Sequence, residues 1–406
     1  MQSSGSARVI RKTMDFSKLK KRKEAMDLLL ENWAPRPETE LVELEAAEGY
    51  VLAENQYAVF SIPVVRASGM DGIAVRYDDF AEGIPDTSGW IEGREYVRAD
   101  TGDDFDDAYD TVIPIERVTI LEQGGLSLDA DVKIEKGMHV LGKGSMLWEG
   151  QLLSEKGTRL QGRHLAALAS GGVQKVPVIQ KPRVGFIPTG SELIPAGTMP
   201  RRGQNIDSNS ILAKSMLREM GAEPICYPIV KDRQDELSQA LDKALSECDI
   251  VIINAGSSKG KEDFNTRLLR SKGKLLCHGV AAVPGRPMGV AVIEGKAVIN
   301  IPGPSMAAFY GLDWMIHSIV CKWLGIPLPK RPVVQAELEE DLPAPPFFER
   351  MAFVELSERD GKYFARPHER GEKGRRHAMS AEGVFVSSLG KGGLKKGEII
   401  EVEWLD

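Results

Sequence analysis

Asp249 to Phe264 reads DIVIINAGSSKGKEDF, an apolar run that opens into small, hydrogen-bonding residues. Gly256, Ser257, Ser258 and Gly260 let main-chain N–H groups and hydroxyls approach an oxyanion closely, and Lys261 adds a positive charge. The chemistry open to such a loop is the cradling of a phosphate or a similar anion. It is not a nucleotide phosphate loop, which needs four residues between its glycines and then Lys followed by Ser or Thr. Here three residues separate Gly256 from Gly260, and Lys261 is followed by Glu262. A second stretch, PTGSEL (Pro188 to Leu193), offers a hydroxyl at Thr189, a turn at Gly190 and a carboxylate at Glu192. Those residues suit either a ligand-facing turn or a helix start with Thr189 as cap and Glu192 as its capping-box partner. A third, PGPS, places Pro302 and Gly303 in a rigid turn.

The elements around these loops explain why they should meet. Between Lys181 and about Gly325 the apolar pattern alternates between strand and helix. Strands are predicted at RVGFIP, EPICYPIV, DIVIIN, GVAVI and AVINIP, and helices at SNSILAKSMLREMG and RQDELSQALDKALSE. Such alternation predicts a doubly wound α/β sheet, whose ligands sit beyond the carboxyl ends of its strands. All three loops leave strand carboxyl ends, so one site is expected. From Tyr50 to Gly150, short segments such as GIAVRY, EYVRAD and DTVIPIERVTIL between Gly/Asp turns predict a β-rich lobe. Helices are expected from Ser17 (SKLKKRKEAMDLLLENW) and at QGRHLAALASGG. The basic cluster Lys18 to Lys23 reads as a solvated helix face or a contact for an anionic partner. After the linker GIPLPKRP, an Asp-Gly hairpin (ELSERDGKYFARP) and a closing strand (GEIIEVEWL) predict a small β-barrel.

Bulk properties narrow the class. The 406 residues, 42% hydrophobic and 27% charged, are those of a globular chain of roughly two to four domains. A net charge of -7 argues against broad nucleic-acid binding. The four cysteines (Cys226, Cys248, Cys277, Cys321) are scattered and form no CxxC, as expected of reduced structural thiols, and the six histidines make no zinc-type cluster. Met1 to Phe16 lacks the apolar core of a signal peptide and no apolar run would span a bilayer, so a cytoplasmic protein without a membrane contact is expected.

Seven segments in collinear order resemble the molybdopterin molybdenumtransferase family, the MoeA proteins and the E domain of gephyrin. They are SGMDGIAV, RADTGD, PTGSEL, GQNIDSN, GSSKGKEDF, VPGRP and IPGPS. The resemblance covers about residues 15 to 406. It implies an elongated homodimer with a discontinuous helical domain I (15–49 and 151–180), a β-rich domain II (50–150), an α/β molybdopterin-binding domain III (181–328) and a C-terminal β-barrel domain IV (329–406). It implies insertion of molybdate into adenylated molybdopterin with release of AMP, assisted by magnesium, in a cleft between domain III of one subunit and domain II of the other. By the same resemblance Glu192, Asp207 and Asp263 handle metal and molybdate, with Glu192 and Asp263 as metal ligands. Thr189, Gly190, Ser208, Asn209, Gly256, Ser257, Ser258, Gly260 and Lys261 cradle pterin and phosphate. Pro284, Gly285, Arg286, Pro302 and Gly303 shape the pocket, and Ser68, Asp71 and Thr101 come from the β-rich domain. Asp207, Ser208 and Asn209 are also good helix N-caps, a role compatible with phosphate at a helix start.

The chain departs from the family where acids are expected. Arg66 and Lys261 stand in place of aspartates, Ser145 and Met146 in place of a Glu-Asp pair, Pro304 in place of an amide and Val283 in place of a lysine. A cleft that exchanges acids for cations would hold oxyanions directly and make magnesium dispensable. Alternatively Arg66 and Lys261 point to solvent, and Asp71, Glu192 and Asp263 suffice for the metal. Three functions therefore stand side by side: a divergent transferase, a catalytically weak molybdopterin-binding carrier or assembly partner of a molybdoenzyme, and a dimeric scaffold.

Overall fold

The computed structural model describes residues 19–122, 124–255, 262–343, 345–368, 381–387 and 392–405. The chain divides into two compact units, residues 39–179 and the remainder.

The larger unit is built on a six-stranded sheet in the order Glu223–Cys226, Arg183–Thr189, Ile250–Ala255, Lys296–Pro302, Gly289–Ile293, Lys274–His278. The first four strands run parallel, and the last two form an antiparallel pair on the far edge. Every predicted strand is present. Lys274–His278, whose KLLCH carries no clear alternation, is added. Ile250 to Ile253 are all fully buried, as a continuous β-branched run covered on both faces requires. Val251 and Ile253 pack with Leu237, Leu241 and Leu245 of helix Gln234–Glu247; their neighbours Ile250 and Ile252 face the opposite side. Because Arg183–Thr189 lies between the second and third strands in sequence order, the chain reverses its direction of travel across the sheet there. Such a reversal opens a crevice at the carboxyl ends of Arg183–Thr189 and Ile250–Ala255.

The C-terminal strands close a five-stranded barrel: Glu349–Arg359, Lys362–Pro367, Val333–Leu338, Ile399–Trp404 and Gly383–Val386, which pairs back with the first. The predicted Asp-Gly hairpin is there, with Asp360 and Gly361 at φ 51° and 73°. Barrel and sheet are fastened by the Ala282–Val283 ladder to Glu349–Arg350 and by Arg331, which grips Asp313 with two hydrogen bonds of 2.6 and 3.1 Å. The N-terminal helix is Arg22–Asn32, shorter than predicted, and Ser17 lies outside the described residues. In the basic cluster, Lys20, Lys21 and Lys23 are exposed as a solvated face expects, whereas Arg22 is half-buried, pairs with Glu349 and lies over the Trp314 ring.

The 39–179 unit has separate cores. One joins Leu44, Leu52, Leu160, Leu168 and Val176 from both ends of the segment; a second gathers Ile73, Val75, Tyr96, Ile113 and Leu126, and a third Ala74, Ala99, Phe105, Tyr109 and Val112. The expected discontinuous helical part contains helix Gly162–Ser170, but also a three-stranded antiparallel sheet of Thr39–Glu43, Lys175–Ile179 and Val51–Leu52. Thr39–Glu43 is almost wholly exposed, so TELVE shows little of the half-buried alternation that marks a strand. Among the described residues no helix is long and apolar enough to cross a membrane.

Candidate functional site

Three strands of the larger unit end side by side. Thr189 pairs in register with Ala255, and Ala255 with Pro302. The fourth expected contributor also leaves this end, because Gly289 pairs with both His278 and Asn300, which puts the 279–288 connection beside Pro302. The strand ends from which the three predicted loops PTGSEL, NAGSSKGKEDF and PGPS leave therefore lie side by side, with the 279–288 connection next to them. Gly256, Ser257, Ser258, Gly260 and Lys261 lie outside the described residues, and Asp263 sits in the first turn of helix Glu262–Lys272.

At the PTGSEL turn no helix begins, which removes the capping-box alternative for Thr189 and Glu192. Thr189 is buried, and its hydroxyl donates to the Asn254 carbonyl at 3.1 Å. Gly190 donates its N–H to Val230 O at 3.0 Å, and Ser191 and Asp232 exchange hydrogen bonds of 3.0 and 3.1 Å. The half-buried Glu192 folds back over the turn: a Cβ on Gly190 would lie 3.0 Å from both of its carboxylate oxygens. A side chain at Gly190 would press on the carboxylate and displace it.

GQNIDSN enters helix Asn209–Met220. Asp207 is buried and accepts from the Ser210 N–H at 3.1 Å and the Ser210 hydroxyl at 2.5 Å. Its capping role is realised, and the Ser210 N–H is not open to a phosphate. Exposed Ser208 stands 3.5 Å from the Ser305 hydroxyl, where PGPS runs into its own helix. Asn209, 7% exposed, donates from Nδ2 to Asn254 Oδ1 at 2.9 Å and to the Gly303 carbonyl at 2.6 Å. Asn254, 2% exposed, donates from its own Nδ2 to the Pro302 carbonyl at 2.8 Å. Sequence reasoning missed Asn254. Its signal was a lone amide closing an apolar strand, IVIIN, and such a residue survives burial only when hydrogen-bonded. On the barrel side, the Val283-Pro284-Gly285-Arg286 turn begins on the ladder to Glu349–Arg350, and Arg286 accepts from Val280 N–H at 2.9 Å.

The motifs of the 39–179 unit are knitted together on their own. Ser68 is fully buried, and its hydroxyl donates to Met70 O at 2.5 Å. Its N–H donates to Asp103 O and its carbonyl accepts from Gly102, each at 2.8 Å. Exposed Asp71 accepts from both the N–H and the hydroxyl of Thr101, at 2.7 and 2.8 Å. Those donors, with Arg98 nearby, hold its carboxyl below the usual carboxylate range. Gly72 is required by close approach, since a Cβ there would lie 2.1 Å from the Ile113 carbonyl oxygen. Arg66 does not point to solvent. It donates to Asp106 O at 2.6 Å, lies 3.1 Å from the Asp107 carboxylate and covers the Phe105 ring at 4.8 Å. Ser145 and Met146 are exposed.

Magnesium is commonly held by one or two carboxylates together with substrate phosphates. Glu192 is a carboxylate of that type at the carboxyl-end cluster. Among the described residues no group of three or more His, Cys, Asp or Glu side chains could form a cage made by the protein alone.

A largely parallel sheet with a reversal point and a closed five-stranded barrel define a multidomain α/β protein. Residues 20–172 match the family model of the MoeA N-terminal region (domain I and II), and residues 185–321 that of a probable molybdopterin binding domain. A molybdopterin molybdenumtransferase of Nostoc sp. is 30% identical over 310 residues, 71% of this chain and 70% of that protein. One from Bacillus subtilis is 29% identical over 348 residues, 81% of each chain. The crystal structure of a molybdopterin biosynthesis MoeA protein from Pyrococcus horikosii superposes with TM-score 0.79 at 25% identity, covering 96% of this chain and all of that one. The chain belongs to the molybdopterin molybdenumtransferase (MoeA) family.

Proposed function

We propose that the protein inserts molybdate into adenylated molybdopterin and releases AMP. The observation that carries this reading is that three described connections leave one end of the sheet beside the end of strand Ile250–Ala255, within the residues matched by the molybdopterin-binding family model. In this reading the protein's part is to bind and orient. The 302–303 and 283–286 turns give a rigid wall, Ser208 and Ser305 offer hydroxyls, and Glu192 and Asp263 hold magnesium, which supplies charge neutralisation for the phosphates when bound. Asp207 stabilises the helix start rather than touching the reacting atoms. The cationic-cleft alternative loses one member, because Arg66 is engaged by Asp106 and Asp107.

We read the domain boundaries as 15–49 with 151–180, 50–150, 181–328 and 329–406. The core that joins Leu44 and Leu52 to Leu160, Leu168 and Val176 supports the discontinuity, while helix Arg22–Asn32 groups with residues 180–406. A cytoplasmic homodimer is part of the same reading. Val59, Val64, Val65, Met146 and Trp148 are 49 to 66% exposed on segments joined by the Ile62–Leu147 bridge, an apolar display of the sort that subunit interfaces cover. A molybdoenzyme as recipient of the product is the corresponding partner.

The test is an insertion assay with the purified chain, molybdate and adenylated molybdopterin, reading AMP release with and without EDTA. AMP released above the protein-free rate is the expected result, with EDTA lowering it. Tight binding without AMP release would replace the transferase by the carrier. Absence of binding would leave the scaffold.

A further inference from the structure

We propose that Asn254 is the positioning residue of the carboxyl-end site: it sets the spacing of three ligand-binding segments without touching the ligand itself. The proposal rests on the reading of this cluster as the adenylated molybdopterin site.

The hydrogen bonds have a fixed direction. Pro302 O and Gly303 O are main-chain carbonyls and can only accept, so the atoms facing them must be the Nδ2 groups of Asn254 and Asn209. Asn254 Oδ1 is then left to accept from Asn209 Nδ2. The result is a one-way relay from the helix start at Asn209, through the middle strand, to the end of strand Lys296–Pro302. The Asn254 carbonyl adds a third arm by accepting from the Thr189 hydroxyl. One buried residue thus holds PTGSEL, GQNIDSN and IPGPS in register with one another.

Stability alone does not call for an amide here. A satisfied buried polar network is at best weakly favourable against well-packed apolar residues that replace all of its members, and strand Ile250–Ala255 is otherwise apolar. What a leucine could not do is fix Asn209. With both Nδ2 hydrogens committed, Asn209 Oδ1 is a buried acceptor without a donor among the described residues. Its placement beside Ser208 at the helix start is imposed by the relay.

The experiment compares wild type, Asn254→Leu and Asn254→Asp in the full chain by calorimetry with adenylated molybdopterin and with AMP, alongside thermal unfolding. Asn254→Leu leaves the Pro302 carbonyl and one Asn209 Nδ2 hydrogen without their partner, so it should unfold cooperatively at a lower temperature and also bind adenylated molybdopterin at least about tenfold more weakly. Asn254→Asp is the sharper probe. Its carboxylate accepts from Asn209 but cannot donate to Pro302 O, whereas the protonated acid does both and mimics the amide. Burial raises the midpoint of such a group, so its affinity relative to wild type at the same pH should recover between about pH 8 and pH 5.5. A purely structural role would lower the unfolding temperature with unchanged affinity and no pH-dependent recovery, and that result overturns the proposal. Should Asn254→Leu fail to fold, the pH series of Asn254→Asp decides alone. If wild type binds neither compound, the reading of the site fails, and the proposal falls with it.

Discussion

In the larger unit, Asn254 and Asn209 are 2% and 7% exposed; their neutral amides hold GQNIDSN to IPGPS, and the Asn254 main-chain carbonyl accepts from Thr189 of PTGSEL. In the 39–179 unit, Asp71 and Thr101 stand at the surface, and an ionised carboxylate receives two donors from one residue. Dielectric explains the contrast. A charge at the position of Asn254 would lack water and a counter-ion, so a neutral amide is the polar group that burial tolerates. At the surface, water stabilises the carboxylate, and its geometry is fixed by short donors instead of by packing. The larger unit secures its site by satisfied burial, and the smaller by backbone closeness and exposed charge.

Breaking the backbone closeness should have the largest effect. Gly72→Ala drives a Cβ into the Ile113 carbonyl and should destabilise the 39–179 unit by about 3 kcal/mol or more, read by chemical denaturation with Trp90 as reporter. A loss below about 1 kcal/mol would mean that the strand Gly72–Val75 shifts without cost. Next comes Arg66→Asp, which restores the acid the family pattern expects. Since Arg66 covers Phe105 and faces Asp107, the acid would meet another acid, with a loss of about 1–2 kcal/mol and no gain in AMP release. Faster AMP release would show that Arg66 suppresses turnover. In the larger unit, Asp207→Ala removes both bonds to Ser210 and should cost about 1 kcal/mol in denaturant midpoint analysis. Unchanged stability would free Asp207 for a direct role.

The smallest effect concerns pH. The Asp71 carboxyl is held low chiefly by the Thr101 N–H and then by the Thr101 hydroxyl. A carboxyl depressed by folding contributes stability above its unfolded pKa, and that contribution is lost as pH falls through the lower folded value. The Asp71 carbon resonance should therefore titrate below the ordinary range. Thr101→Val should move the midpoint part of the way back, because the main-chain donor remains. A full return would make the hydroxyl the dominant cause.

Legibility differed by element for physical reasons. IVIIN, AVINIP and RVGFIP announced buried strands because both faces are covered, leaving uninterrupted apolar runs. The same burial hid Asn254, since a single amide at a strand end looks like the start of a loop until its partners are in view. Arg66 was judged by charge alone, and its neighbours Asp106 and Asp107 acquire meaning only once the chain folds them against it. Glu192 could be read as a ligand-facing carboxylate or as a capping-box partner; a turn fastened to Val230 and Asp232, with no helix starting there, removed the second.

The sequence by itself determined the family, the alternation of strands and helices, the barrel hairpin and the set of loops that must meet, because apolar period and turn chemistry are local properties. Only the tertiary structure decided which polar atoms are already committed: Asp207 to its helix, Arg66 to an acidic turn, Asn254 to three segments at once. Those assignments depend on contacts between residues up to 94 positions apart, such as Asn209 with Gly303, and no local pattern encodes such a distance.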